Sequence, residues 1–253
     1  MLPTTHELAS PTACHDVDVS FTNAATLAAA ASSGERWPWL PRDPEAERLW
    51  SALGVARGAV ADGAMVAAAR RSRTIDRLAR RWSARHPGGT IVEVGAGLST
   101  RHARLADLDA TFVTVDEPAL AALRRSLFTS RPRRRVVAAE LEDRAWCRRV
   151  VAVDRRVLTL IPDALVDLHP DDAVDLLLAL AAELPAGSPI VVAHGSRTRL
   201  QVADATSRTP TLTVRAPSGR DGGATLRMPA LRWCGATRRS RPDGLSVALL
   251  VTR

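Results

Sequence analysis

Short apolar runs alternate with amphipathic stretches from about residue 90 to residue 193. The runs are rich in Val, Ile and Thr, as buried strands are, and the stretches between them repeat their apolar residues at helical spacing. Strict alternation of strand and helix predicts a mainly parallel sheet with helices on both faces, because right-handed crossovers place the helices there. The predicted strands span residues 90–94, 110–115, 134–139, 155–161 and 188–193, and the helices between them span 99–108, 118–128, 143–150 and 170–184.

The chain before this alternation is helical in pattern, from about residue 22 to residue 86. Asp43 followed by Pro44 predicts a helix start, since Asp caps the first free N–H groups and Pro fits the first turn. A longer helix is predicted over Arg71–Arg85, ending at the Pro-Gly-Gly of residues 87–89. The apolar residues that give this helix its period are Ile75, Leu78, Ala79 and Trp82.

The alternation of strands and helices weakens after Ser196. Residues 211–217 and 223–229 flank a Ser-Gly-Arg-Asp-Gly turn and predict a β-hairpin, and residues 244–253 predict a final antiparallel strand. The pattern predicts a flexible arm over residues 1–21 and one domain over 22–253. Within that domain, 22–86 form a helical cap and 87–253 the sheet-bearing core.

Charge is the first property that bears on partners. The 253 residues include 35 basic and 27 acidic side chains, for a net charge of +8, and every basic residue is Arg. Such an excess can mark a nucleic-acid partner. However, Lys and Tyr are absent, Ala is abundant and the arginines are interleaved with acids, so a compositional bias explains the excess more economically.

Cysteine usage and apolar run length bear on the compartment. Cys14, Cys147 and Cys234 are widely separated and odd in number, which predicts neither a disulfide framework nor a structural metal site. The chain starts without the basic and apolar segments of a signal peptide, and its apolar runs are too short for a membrane span. We therefore expect a cytoplasmic protein without a membrane partner or a metal.

A glycine turn follows the first predicted strand, and an acid ends the second. Gly95 and Gly97 permit a tight turn and close approach of a ligand, although such a turn also occurs without one. Asp116, about 20 residues on, is where a carboxylate can accept the hydroxyls of a ribose. Dinucleotide-binding turns have a third glycine where Thr100 stands. Two glycines preceded by Glu93 favour S-adenosylmethionine instead.

Several blocks of the sequence resemble, in order, the leucine carboxyl methyltransferase-like group of class I S-adenosylmethionine-dependent methyltransferases. This group includes O-methyltransferases of natural-product biosynthesis. The resemblance extends from about residue 24 to residue 195 and implies a Rossmann-like fold. Its blocks are WLPRDPEAERL (39–49), RSRTIDRLARRW (71–82), VEVGAGLSTRHARL (92–105), VTVDEPALAALRRSLF (113–128), ELEDRAW (140–146) and, at a corresponding place, LTLIPDALVDLHPDDAVDLLLALA (158–181).

The resemblance assigns roles to particular residues. Arg71 or Arg73 would hold the cofactor carboxylate on a cofactor helix of the cap, and the glycine turn after Glu93 would line the methionine end. The ribose and the adenine would lie against the ends of the second and third strands. By this resemblance the cofactor-binding residues are Arg71, Arg73, Glu93, Gly95, Gly97, Asp116, Glu140 and Leu141.

Departures from the group's pattern concern the acceptor. Pro162 and Asp163 stand where the group has Glu-Gly after the fourth strand, and Asp167 stands where it has Tyr. An ionised carboxylate needs alignment and desolvation rather than a base. A phenol or alcohol would need one. The candidate bases are His194, His169 and Asp167.

Three functions remain open from the sequence. The leading hypothesis is an O-methyltransferase that acts on a carboxylate of a small molecule or peptide, in secondary metabolism. The departures after the fourth strand motivate an alternative, a binding or scaffold protein that retains the fold without methylating. The arginine excess motivates a third, an RNA methyltransferase. The net positive charge would assist an anionic acceptor by electrostatic steering.

Overall fold

In the part of the chain that the computed structural model describes, seven helices and ten strands follow one another. It describes residues 21–54, 60–141, 143–153, 156–164, 168, 170–194, 198–202, 210–214, 224–227, 231–236 and 246–252. The helices are α1 Phe21–Ala31, α2 Pro44–Ala52, α3 Asp62–Ser83, α4 Arg101–Arg104, α5 Pro118–Leu127, α6 Arg144–Val153 and α7 Pro170–Glu183. The strands are β1 Gly89–Val94, β2 Ala110–Asp116, β3 Arg134–Ala138, β4 Val157–Ile161, β5 Pro189–His194, β6 Thr198–Val202, β7 Pro210–Val214, β8 Ala224–Arg227, β9 Leu231–Ala236 and β10 Ser246–Thr252.

The main sheet has seven strands in the order β3-β2-β1-β4-β5-β10-β9. Strands β1 to β5 are parallel, while β10 runs antiparallel to both β5 and β9. The parallel core and the antiparallel last strand are as predicted. Because the chain leaves β3 at one edge and returns to β4 beside β1, the strand order reverses between β1 and β4, which is where open α/β sheets bind ligands.

Each face of the sheet packs against its own helices. Val92 and Val94 face one apolar cluster, shared with α6 and α7. Ile91 faces another, together with Ile75 and Ala79 of α3. The alternation of neighbouring residues between two buried faces explains the continuous apolar strand runs, which a sheet with one wet face would not require.

The last helix of the cap is longer and the helix after β1 is shorter than the sequence predicts. Helix α3 starts at Asp62, nine residues before the expected Arg71, since the alanines of 64–69 continue it. The expected helix over 99–108 is reduced to α4, the four residues Arg101–Arg104. The chain then closes in tight turns, where Leu108 N–H donates to Leu105 O at 3.1 Å. Asp107 and Asp109 are turn formers that favour this ending.

The C-terminal third contains more strands than the predicted hairpin. The hairpin itself is confirmed, because β7 and β8 pair antiparallel. Strand β6 pairs with the other side of β7 and completes a separate three-stranded sheet. Strand β9 also joins the main sheet beside β10, a pairing that the sequence did not indicate.

The cap has an apolar core of its own. Leu27, Leu49, Trp50 and Met65 of the first three helices are buried together, with Leu98 of the glycine turn among them. Helix α2 begins where predicted: Asp43 accepts the N–H of Ala46 at 3.0 Å, with Pro44 in the first turn. The cap therefore packs directly on the turn that follows β1.

Ion pairs between buried and half-buried side chains attach the cap to the turn. Asp76 of α3 accepts from Arg101 Nε at 2.7 Å and from Arg104 Nε at 2.9 Å. Arg101 also pairs with Glu93 of β1, and Arg104 Nη1 lies 3.1 Å from Asp43 Oδ2. The cationic partners hold the pKa of Asp76 below its usual value against the effect of burial. This Asp76 network joins α2, α3, β1 and α4.

We expect Asp76→Asn to lower the free energy of unfolding by on the order of 3 kcal/mol, because it leaves buried Arg101 and half-buried Arg104 without their shared counterion. Asp107→Asn is the matched control, since Asp107 pairs with Arg80 at 2.5 Å on the exposed surface. Its loss should stay below about 1 kcal/mol. Urea unfolding measures both, and equal losses would contradict a structural role for the network.

Candidate functional site

The carboxyl ends of the five parallel strands share one edge of the sheet. The turn after β1, Asp116 at the end of β2, Leu141 after β3 and Asp163 after β4 all lie there. This edge borders the reversal of strand order between β1 and β4. Four of the residues predicted to bind the cofactor, Gly95, Gly97, Asp116 and Leu141, therefore lie at this edge.

The turn after β1 depends on its two glycines. Gly95 and Gly97 have φ of +63° and +49°, a conformation that L side chains rarely adopt. Gly95 also lies close to the turn after β4. A Cβ on it would lie 2.6 Å from Ala164 Cβ and 3.6 Å from Leu141 Cδ1. The strand ends of β1, β3 and β4 thus converge on Gly95, in line with its predicted place in a cofactor site.

Asp116 is held beneath the glycine turn. It shares the strand parity of Phe112 and Thr114, so its side chain extends toward the face that α5 covers. Oδ1 accepts the Gly97 N–H at 2.8 Å, and Oδ2 has no hydrogen-bond partner among the described residues. Burial raises the pKa of Asp116 to about 6, although Arg124 and the amides of Gly97 and Ala96 oppose that shift.

Arg124 of α5 is a residue of this site that the sequence reasoning missed. Its Nη1 donates to Gly97 O at 2.5 Å and to Ser99 O at 3.1 Å. Its Nε lies 3.6 Å from Asp116 Oδ2, too far for a hydrogen bond. An arginine one turn before the end of an otherwise amphipathic helix gave no signal of a buried role. One guanidinium therefore fixes the turn and neutralises the acid below it.

Arg71 is the predicted arginine that reaches the strand edge. Its guanidinium pairs with Asp163 at 2.7 Å, and both side chains are buried. Asp163 also accepts from Thr26 of α1 at 3.0 Å. Asp163, which departs from the pattern of the group that the sequence resembles, thus supplies a carboxylate partner for Arg71 of α3.

Arg73 lies on another side of α3. Two residues along a helix correspond to a rotation of about 200°, so Arg71 and Arg73 cannot face the same ligand. The Arg73 guanidinium instead lies 5.5 Å from the ring centre of Trp39, on the outside of the cap. Of the two predicted alternatives, the structure brings Arg71 alone to the edge.

The other predicted cofactor residues divide between buried and exposed positions. Glu93 is buried against Arg101, on the face that α3 covers. Leu141 is buried, and its carbonyl accepts the Trp146 indole N–H at 2.9 Å, while Glu140 is exposed. Glu117, which the sequence reasoning did not select, is an exposed carboxylate next to Asp116. The sequence pattern did not indicate a binding role for Glu117, because a residue directly before Pro118 is interpreted as a helix cap.

The candidate bases remain predictions. His194 ends β5 opposite Ser246 of β10, which places its backbone at the carboxyl edge. Asp167 and His169 lie outside the described residues. Within the described part of the chain, His, Cys, Asp and Glu form no group of three that could hold a metal ion. No helix in that part has the length and apolarity to cross a membrane.

Comparison with known proteins identifies the fold. No family model and no curated protein matches the chain. A candidate methyltransferase from Thermobifida fusca YX is similar over 90% of this chain and 94% of its own, with 17% identity and a TM-score of 0.51. A TehB-like SAM-dependent methyltransferase from Corynebacterium glutamicum covers 83% of this chain and 100% of its own, with 14% identity and a TM-score of 0.47. The chain has the Rossmann-like methyltransferase fold; the narrower resemblance to the leucine carboxyl methyltransferase-like group stays a prediction.

We expect Gly95→Ala to destabilise the protein more than Gly54→Ala does. Both glycines have positive φ, +63° and +64°, but a Cβ at Gly54 meets nothing within 4 Å. The backbone strain, about 1 kcal/mol, is common to both variants. The contact with Ala164 is specific to Gly95 and should add on the order of 2 kcal/mol. Thermal unfolding compares them, and Ala164→Gly should restore part of the loss; a double variant no more stable than Gly95→Ala would refute this contact.

The raised pKa of Asp116 predicts a pH dependence of stability. The folded chain keeps this proton up to about pH 6. The unfolded chain loses it near pH 4. The free energy of unfolding from this group therefore falls as pH rises from 4 to 6 and is constant above. Relative to Asp116→Asn, wild type should lose on the order of 2 kcal/mol across that window. Urea unfolding at several pH values tests this, and a constant difference would contradict it.

Proposed function

We propose that the protein is an S-adenosylmethionine-dependent methyltransferase. The observation that carries the proposal is the glycine turn at the reversal of strand order, with the Asp116 carboxylate held on the Gly97 amide. Oδ2 of that carboxylate is an acceptor without a donor among the described residues, as expected of a group that accepts a ribose hydroxyl. The similarity to a candidate methyltransferase of the same fold supports the proposal.

The residues present fit this cofactor in type and in place. Arg71 would bind its carboxylate, the turn from Gly95 to Gly97 its methionine end, and Asp116, with Glu117 beside it, its ribose. Glu140 and Leu141 follow the third strand, where the adenine would lie. When bound, S-adenosylmethionine supplies an electrophilic methyl group.

The acceptor in this proposal is a carboxylate of a small molecule or peptide in secondary metabolism. A carboxylate oxygen forms the new O–CH3 bond while the S–CH3 bond breaks, and the sulfur keeps that electron pair in S-adenosylhomocysteine. An acid is already ionised at neutral pH, so alignment and exclusion of water suffice. Asp163, at the edge near the reacting groups, is held by Arg71 and Thr26 and is not free to act as a base. A phenol would need His194, His169 or Asp167 instead.

A second candidate function is binding without methyl transfer. The observation that favours it is that both charged groups assigned to the cofactor already have internal partners: Arg71 has Asp163, and Asp116 has Arg124. A descendant of the fold that lost its cofactor would need such partners, because a buried charge without a counterion is costly. Cofactor binding separates the two functions.

Calorimetry with S-adenosylhomocysteine tests the proposed function. Wild type should bind it, and Arg71→Gln should weaken binding at least tenfold, because a charged hydrogen bond to the ligand carboxylate is lost. Arg77→Gln is the control, an exposed arginine on the same helix that should leave affinity unchanged. Asp163→Asn should tighten binding, since it removes the competing carboxylate from Arg71.

The outcomes divide the candidates. Absence of binding at millimolar S-adenosylhomocysteine in a folded protein refutes the methyltransferase and favours the binding protein. Given binding, transfer of labelled methyl from S-adenosylmethionine to a panel of carboxylates, phenols and amines identifies the acceptor class. Methylation of phenols or amines but not of acids would overturn the carboxylate assignment.

A further inference from the structure

A cavity lies beside the β3 edge of the main sheet. It has a volume of about 370 Å³ and lies between the end of α5, strand β2 and the edge strand β3. Its interior is apolar, with Phe112 from β2, Phe128 from the end of α5 and Val136 from β3. Arg125, Arg134 and Arg135 stand among its lining residues. None of the residues assigned to the cofactor lines it.

Two arginines of this cavity, Arg125 and Arg134, form no ion pair with a carboxylate among the described residues. Arg125 donates to Val136 O and Arg134 to His102 O, each at 3.1 Å, so both guanidinium groups contact uncharged carbonyls. Burial, followed by repulsion from Arg131, lowers the pKa of Arg134, and Glu45 opposes the shift. A site with this excess of positive charge attracts an anion.

Buried His102 reports the same positive field. It lines the cavity, and burial followed by Arg124, Arg134, Arg104 and Arg131 lowers its pKa to about 3. An imidazole that stays neutral among these arginines adds no charge of its own. The side chain instead completes an aromatic wall, because its ring meets the Phe128 ring edge-on with 4.8 Å between the ring centres.

The cavity lining has an aromatic part and a cationic part, and each part suits a different portion of a ligand. The rings of Phe112 and Phe128 suit an aromatic or other flat apolar group. The guanidinium groups of Arg134 and Arg135 suit a carboxylate or phosphate, which arginine binds through paired hydrogen bonds. We propose that this cavity is a binding site for a small anion attached to an apolar ring.

Arg124 connects the cavity with the cofactor edge. It lines the cavity, lies 4.6 Å from the Phe128 ring centre and donates to two carbonyls of the glycine turn. An anion in the cavity attracts this guanidinium and so competes with Asp116 for it. Occupancy of the cavity therefore alters the affinity at the cofactor edge, a consequence that rests on the proposed function, whereas binding in the cavity does not.

Calorimetry with phenyl phosphate, benzoate, inorganic phosphate and benzyl alcohol tests the site. Phenyl phosphate or benzoate should bind at least tenfold more tightly than inorganic phosphate, which lacks the ring, and than benzyl alcohol, which lacks the charge. Whichever of phenyl phosphate and benzoate binds more tightly identifies the natural ligand as a phosphate or a carboxylate. Equal affinity for inorganic phosphate and phenyl phosphate, or no binding of either ring-bearing anion, would overturn the proposal.

Variants locate the binding. R125Q/R134Q should weaken the better anion at least tenfold, while R81Q/R85Q, with the same charge change on exposed positions of α3 and after it, should leave affinity within twofold. R135Q, at an exposed position of the edge strand, should weaken binding without unfolding the chain. An equal loss of anion affinity in R81Q/R85Q would show that the net charge of the protein drives binding. It would refute the cavity as the binding site.

The coupling has its own measurement. With the better anion saturating, the affinity for S-adenosylhomocysteine should change at least threefold in wild type and remain unchanged in R125Q/R134Q. Anion binding without this change, in a protein that binds S-adenosylhomocysteine, would refute the competition for Arg124 and leave the site itself established. If the protein binds the anion but not S-adenosylhomocysteine, the proposed function is refuted and the anion site in the cavity is not.

Discussion

The arrangement of the strand edge depends on how two arginines after the glycine turn are neutralised. Arg101 and Arg104 belong to a helix of only four residues, which cannot hold its own geometry by backbone hydrogen bonds. Asp76 of α3 binds both, and Glu93 and Asp43 bind one each. The network thereby fixes the angle between the cap and β1. The turn that carries Gly95 and Gly97 is fixed as a consequence.

The sequence predicted most of the fold because burial on two faces leaves a strong pattern. Apolar runs in alternation with amphipathic stretches are sufficient for a parallel sheet, and the Asp43–Pro44 pair was sufficient for the start of α2. The pattern failed where long-range charge decided the structure. Nothing local distinguishes the arginines of α4 from those of a solvated helix, so their pairing with acids of the cap and of β1 could not be predicted from residues 99–108.

The site was predictable in position but not in its interactions. Strand ends gave the place of Gly95, Gly97 and Asp116, since parallel strands end at one edge. The alternation of side chains along β2 also predicts which way Asp116 points, because Phe112 and Asp116 must lie on the same face of the strand. Its partner Arg124 could not be found this way, since helix α5 presents that residue to the turn only after α5 has packed on the sheet.

Internal counterions explain why the charged residues assigned to the cofactor can be buried at this edge. A guanidinium or carboxylate placed to meet a ligand charge would be destabilising in the free protein, because desolvation has no compensation there. Asp163 supplies that compensation for Arg71, and Arg124 supplies it for Asp116. The two pairs differ in distance: Arg71 Nη2 lies 2.7 Å from Asp163 Oδ1, whereas Arg124 Nε stands 3.6 Å from Asp116 Oδ2. Under the proposed function, Asp116 Oδ2 is available to a ligand hydroxyl, whereas Arg71 would have to exchange its close ion pair to bind a carboxylate.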